Sequence, residues 1–314
     1  MPEADSPRSK SPKKIAGLIK MILGLAAIAF MFYYLMQNWA MLKHHQWHFN
    51  IWLLLLSLGL LWIAIASAVY IYQIVFRKLV GAEITYAQTF RVINITNIGR
   101  YLPGKLWSVV GLIYYTSEYG INKKQTTLAV ITNEVAGKAS ALILGLCYFF
   151  FADTLKGYLP AMVGLLIACL VVIHPWVLDK VINTGFRILK KQTIEIAFGY
   201  WTILKFVLIF IVSWLLHSLA FYVLVNAITP IGSVNIFKFA TILPLCWVIG
   251  YIILLAPGGL GVREAMLVVM LGEFLPQEVA LAIAIIQRIW FTVVEGINIL
   301  MALAIPAPTK KQKG

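Results

Sequence analysis

From Ile51 to Phe76 no residue carries a charge, and the chain repeats that pattern several times. Wound into a helix, such a run is about 39 Å long, more than the roughly 30 Å of a bilayer's hydrocarbon core. Several such helices in water would have too little polar surface to face the solvent. Six uninterrupted runs are legible, at about 21–42, 51–76, 125–151, 159–179, 200–226 and 279–304, each bounded by charges or proline. Composition agrees, with 61% of the residues hydrophobic and only 12% charged. The pattern predicts an all-α polytopic membrane protein with about six full transmembrane helices.

Two further regions, 83–119 and 236–275, are apolar but broken near their centres by Leu-Pro-Gly-Lys and Pro-Gly-Gly-Leu-Gly. Before its break the first carries Glu83, Arg91, Asn94, Thr96, Asn97 and Arg100. Each arginine at the centre of a lipid-facing helix would cost roughly 2.5 to 3.5 kcal/mol, which disfavours a simple crossing. About 14 helical residues reach past the midplane, so each region can enter, turn and leave by the same face. The expectation is two broken, re-entrant helical hairpins of opposite orientation, an arrangement similar to the discontinuous helices of secondary transporters. Outside Pro103-Gly104 and Pro257-Gly258 the two regions share little sequence, so an internal repeat is only suggested.

The net charge of +14 does not point to nucleic acid, because the cations fall in short clusters between apolar runs, without a continuous basic face. Topology explains it. With the N-terminus inside, the inner side holds the Arg8–Lys20 cluster, Arg77, Lys78, Lys123, Lys124, the Lys180–Lys191 group and the C-terminal lysines. Only Lys43, Lys156 and Lys238 fall outside. A multi-pass protein of the cytoplasmic (inner) membrane with both termini cytoplasmic follows. Residues 1–20 form a basic cytoplasmic segment, 21–304 one transmembrane domain and 305–314 a basic tail. The run 21–42 exceeds a signal-peptide core and reads as a retained span.

Cys147, Cys169 and Cys246 lie singly in apolar runs, so no metal site, disulfide framework or cofactor is expected. There is no phosphate loop, HExxH or nucleophile elbow, and no catalytic residue is assigned. ATP hydrolysis is therefore not expected; the reading is a transporter and not an enzyme, with transport passive, ion-coupled or driven by removal of product.

The candidate site residues cluster at the breaks. In "RYLPGKLW", residues 100–107, proline ends one half-helix, Gly104 turns the backbone, and the next half-helix opens with free N–H groups between Arg100 and Lys105. Such an end binds phosphate. The competing reading is an interfacial turn whose cations reach to headgroups while Trp107 anchors at the same level. In "APGGLGVRE", residues 256–264, Gly258, Gly259 and Gly261 permit close backbone approach, with Arg263 and Glu264 opening the following half-helix. There the competing reading is a tight turn in which Arg263 and Glu264 satisfy each other or the helix end. Among embedded charges, Glu134 and Lys138 share a helix face at i, i+4, as Arg288 and Glu295 do at i, i+7. They either neutralise one another or line a headgroup route in which a glutamate carries a proton. His217, alone in its run, reads first as a packed residue.

The two strings, with Glu134 about thirty residues after the first, resemble the flippase-like membrane domain of lysylphosphatidylglycerol synthases, over roughly 15–304. The resemblance implies a multi-span protein that moves a lipid with a charged headgroup between leaflets. By position, Arg100, Pro103, Gly104, Lys105, Glu134, Pro257, Gly258, Gly259, Gly261, Arg263 and Glu264 match. About ten residues follow Ala304, so the soluble aminoacyl-transferase domain of the two-domain enzymes is not expected, nor is their synthase reaction. The expected cargo is an anionic or polyprenyl-phosphate-linked membrane lipid. The rival reading is a non-transporting scaffold for a glycosyltransferase or lipid-modifying enzyme, and a weaker one a transferase with Glu134 or His217 as base.

Overall fold

The computed structural model describes residues 33, 36, 37, 43–45, 47–101, 107–151, 157–188, 193, 198–231, 236–252 and 261–307. The expected first span, 21–42, lies almost wholly outside them, as do the segment 1–20, most of the tail 305–314 and the corners 102–106 and 253–260.

Helix α1 spans Ile51–Val80 and is bounded by local chemistry at both ends. Asn50 Oδ1 accepts the free N–H groups of Trp52 and Leu53 at 3.0 and 3.2 Å, and Gly81 closes the helix at φ 66°. Helix α2 (Tyr86–Asn97) tightens into a 3-10 turn over Ile98–Tyr101, and α3 (Trp107–Ser117) follows the first corner. Helix α4 (Lys123–Leu146) continues through Cys147 into a single turn, α5 (Tyr148–Phe151). Reciprocal side-chain caps open α2 (Thr85 with Gln88) and α4 (Asn122 with Gln125). Then come α6 (Leu159–Val172), α7 (Pro175–Ile188) and α8 (Tyr200–Ile228). Helices α9 (Ile236–Ile252) and α10 (Val262–Leu271) flank the second corner, and α11 (Gln277–Ala304) completes the fold. No strand occurs among the described residues.

Among the described residues four helices are long and apolar enough to cross a membrane: Ile51–Val80, Lys123–Phe151, Tyr200–Ile228 and Gln277–Ala304. The expected continuous span 159–179 is broken. Helices α6 and α7 meet at 76°, because Pro175 lacks the N–H that would continue the ladder. If the bent pair counts as one span, the described residues hold five. On the long helices the outward apolar residues, such as Trp52, Leu208, Val212 and Leu300, are more than half exposed, forming the surface that meets lipid.

The bundle has two ends, which contacts identify. At one, Gln125 Nε2 donates to the carbonyl of Val80, and Gln73 Nε2 to that of Ile84. At the other, the N–H of Asn50 donates to the carbonyl of Ala227. Both limbs of α2–α3 root at the first end, where Arg91 meets Glu118 at 3.6 Å and donates from Nε to the carbonyl of Ile305 at 3.1 Å. Both limbs of α9–α10 root at the opposite end. There Lys238 and the hydroxyl of Tyr148 both donate to Glu273.

Close approach at both hairpins depends on glycine. A Cβ on Gly99 would stand 2.7 Å from the backbone N of Ser108, so the turn can fold against the start of α3 only without a side chain. A Cβ on Gly145 would stand 2.9 Å from Leu245 Cα, where α9 crosses α4.

Candidate functional site: a cavity lined by both hairpins

Midway between the two ends lies a cavity of about 280 Å³. Asn94 and Asn97 of α2 and Ser108 of α3 bring the first hairpin to it, Trp247 and Val248 of α9 the second. Glu134 and Lys138 of α4 and Trp214 and His217 of α8 complete its polar and aromatic wall. Both limbs of the first hairpin and the entering limb of the second therefore share one hollow.

The Glu134–Lys138 pair forms across one helical turn, Nζ to Oε2 at 2.8 Å. Its side chains remain 43% and 33% exposed, so the pair faces open space rather than packed apolar groups. Lys138 Nζ also lies 4.3 Å from the centroid of the Tyr251 ring, which ties α4 to the last turn before the second corner. Asn133, next to Glu134, is 2% exposed and lines the same cavity. Its Nδ2 donates to the carbonyl of Ala129 at 2.9 Å, while its buried Oδ1 has no partner. An unmet acceptor in a cavity wall is a place for a ligand's donor or a water.

Gly261, Arg263 and Glu264 sit behind this wall. Gly261 adopts φ 83°, a conformation that glycine takes without strain. Glu264, 5% exposed, turns back so that Oε2 accepts the Gly261 N–H at 2.7 Å, and its Oε1 lies 3.7 Å from Arg288 Nη1. The start of α10 is thus capped by the protein's own carboxylate. Arg263, 6% exposed, stacks its guanidinium 4.4 Å from the Trp247 ring centroid and 5.7 Å from that of Phe291, and both rings line the cavity. Arg288 meets Glu264, the partner supplied by α10, and Glu295 is buried lower on α11. Neither lines the cavity. His217 Nδ1 hydrogen-bonds the carbonyl of Ser213 at 2.9 Å, and the ring lies beside Trp214.

Arg100 lies on the 3-10 turn that leads into the first corner. Gly104, Lys105, Gly258 and Gly259, with Pro103 and Pro257, lie outside the described residues. Sequence reasoning passed over Asn133 and Trp247. An asparagine adjoining an intramembrane glutamate, and a tryptophan shortly before a break, were the available signals.

Fold and site together define a multi-pass, all-helical membrane protein with a half-open cavity, polar groups set in an otherwise apolar wall, between half-length helices and the long spans. The chain belongs to the lysylphosphatidylglycerol synthase family by its membrane region: the family described as lysylphosphatidylglycerol synthase TM region matches residues 21–294. No curated protein and no solved structure matches the chain.

Proposed function

We propose that this protein is a lipid translocase that moves an anionic or polyprenyl-phosphate-linked lipid between leaflets, its headgroup passing through the central cavity while its tails stay in the bilayer. The observation that carries this reading is the convergence of two hairpins, rooted at opposite ends of the bundle, on one cavity containing a solvent-reachable ion pair. Family membership supports a function tied to membrane lipids.

In this reading both hairpins are re-entrant, and their half-helices open a route from either face. Arg100, Lys105 and the glycines of the two corners attract and hold the phosphate. Arg263 backs the cavity with positive charge through the Trp247 ring. Glu134 and Lys138 form a switchable pair, because a passing charged group can take either partner and leave the other to balance it. The protein acts as a transporter and forms no covalent intermediate. The basic end of the bundle, with Arg77, Lys78, Lys123 and Lys124 exposed, faces the cytoplasm of a cell's inner membrane, as do both termini.

The test is reconstitution. Fluorescent phosphatidylglycerol in proteoliposomes becomes accessible to an impermeant quencher in the opposite leaflet faster than in protein-free vesicles. Equal rates across anionic and polyprenyl-phosphate lipids end the proposal.

A further inference from the structure

Beyond the cavity, the segment the sequence assigned to a straight span offers a second lipid contact. Helix α6 has 14 residues, about 21 Å of rise, too short for a core of about 30 Å. Its last turn packs at the basic end: Cys169 and Ile173 join the apolar cluster of Ile71, Phe76 and Ile121. There the chain bends by 76° into α7, with His174 stacked 5.2 Å from the Tyr200 ring at the elbow. Helix α7 thus leaves the direction of α6 at the end of the bundle.

Helix α7 is two-faced. Val177, Val181 and Ile188 fall on one side at i, i+4, i+11 spacing, and Val181 and Ile188 are 62% and 76% exposed. Trp176, Lys180 and Arg187 form the adjoining stripe, about 100° round the helix and also at i, i+4, i+11, with Lys180 Nζ 3.7 Å from the Trp176 ring centroid. Asp179, the one carboxylate among residues 157–188, accepts from Asn183 Nδ2 at 2.8 Å. An exposed apolar stripe flanked by cations and an amphipathic tryptophan matches one environment, the boundary between acyl chains and headgroups.

We propose that α7 is an interfacial helix that docks on the anionic headgroup layer of the protein's own bilayer, apolar stripe inward, with Lys180 and Arg187 against lipid phosphates. The occupant follows from charge complementarity. Both cations are exposed, and they stand at the same end as exposed Arg77, Lys78, Lys123 and Lys124.

Hydrogen exchange on the full chain in nanodiscs tests this directly. Amides of 175–188 exchange about tenfold more slowly when about a third of a phosphatidylcholine bilayer is replaced by phosphatidylglycerol. The double variant Lys180→Glu with Arg187→Glu loses that gain while 51–80 is unchanged. If the double variant fails to fold, a label at Val181→Cys shielded from an aqueous quencher, with one at Asp179→Cys on the opposite side of the helix exposed, supports the same placement. Equal exchange in both bilayers, a gain that survives charge reversal, or equal shielding of the two labels overturns the proposal. Protection of 175–188 as deep as that of 51–80 in both bilayers also overturns it, since the helix would then lie inside the hydrocarbon.

Discussion

The two hairpins are built to the same plan and filled with opposite chemistry. In each, a cation on the entering limb meets a glutamate just past the returning limb, over an aromatic ring: Arg91 with Glu118 above Tyr115, and Lys238 with Glu273 beside Tyr148 and Phe274. The contents differ. The α2–α3 hairpin turns polar groups, Asn94 and Asn97, into the cavity, whereas α9–α10 offers Trp247 and Val248 and keeps its charges behind them. There Glu264 is spent on a helix cap and on Arg288, and Arg263 on two aromatic rings. One hairpin is a polar wall, and the other is a braced apolar wall with its charge held in reserve. A chain can therefore use two inverted half-helix pairs without making them equivalent sites.

The sharpest way to break that contrast is to remove a polar side chain from each. Glu264→Ala leaves the Gly261 N–H uncapped and Arg288 without its carboxylate, and we expect a loss of about 3 kcal/mol in detergent-solubilised stability, read by thermal unfolding. Glu264→Gln keeps an acceptor for the cap and recovers about half of it. Asn97→Ala, which takes a polar group off the cavity wall, costs under about 1 kcal/mol. If Asn97→Ala costs as much as Glu264→Ala, the division into open and braced walls is wrong.

Next come the tips. Gly99→Ala drives a Cβ against backbone that cannot move without shifting α3, at a cost of about 2 kcal/mol. Its counterpart in the second hairpin, Gly250→Ala, meets Arg263 Cβ at 3.2 Å, a contact eased by a few tenths of an ångström, and costs under about 1 kcal/mol. Equal melting temperatures for the two variants would make the hairpins sterically alike. At the roots the difference narrows. Arg91→Ala loses an ion pair and the hydrogen bond to Ile305 that ties the hairpin to the end of α11, about 1.5 kcal/mol, against about 1 for Lys238→Ala.

How far this was legible follows from what each property requires. The long spans announce themselves, because hydropathy over twenty residues is a local sum; 51–76 extends only to Val80 and 200–226 to Ile228. The same sum hid the bend after Val172, since residues on both sides of Pro175 are apolar and only the missing N–H marks the break. The Glu134–Lys138 pair was readable from its i, i+4 spacing. The partner of Arg288 was not, because Glu264 reaches it from another helix and depends on how α10 returns against α11. Spacing along one helix put Arg288 and Glu295 on a common face, while tertiary packing decided which carboxylate the guanidinium meets.

The smallest expected change in stability belongs to the residues on which the functional reading depends most. Glu134 and Lys138 are a half-buried pair within one helix, and i, i+4 pairs of this kind contribute under about 1 kcal/mol, so Glu134→Gln and Lys138→Met should melt nearly as wild type. If the pair exchanges partners with a passing headgroup, each single variant removes one of the two alternatives, and lipid movement falls about tenfold. The exchanged variant, Glu134→Lys with Lys138→Glu, restores a pair in the same turn but places the cation away from Tyr251. It recovers transport only if the pair as such, and not the position of Lys138 against Tyr251, governs passage. Recovery would join the two walls through α4 alone. Persistent loss would assign Lys138 to the braced hairpin, and wild-type transport in both single variants would leave the ion pair no part in the path.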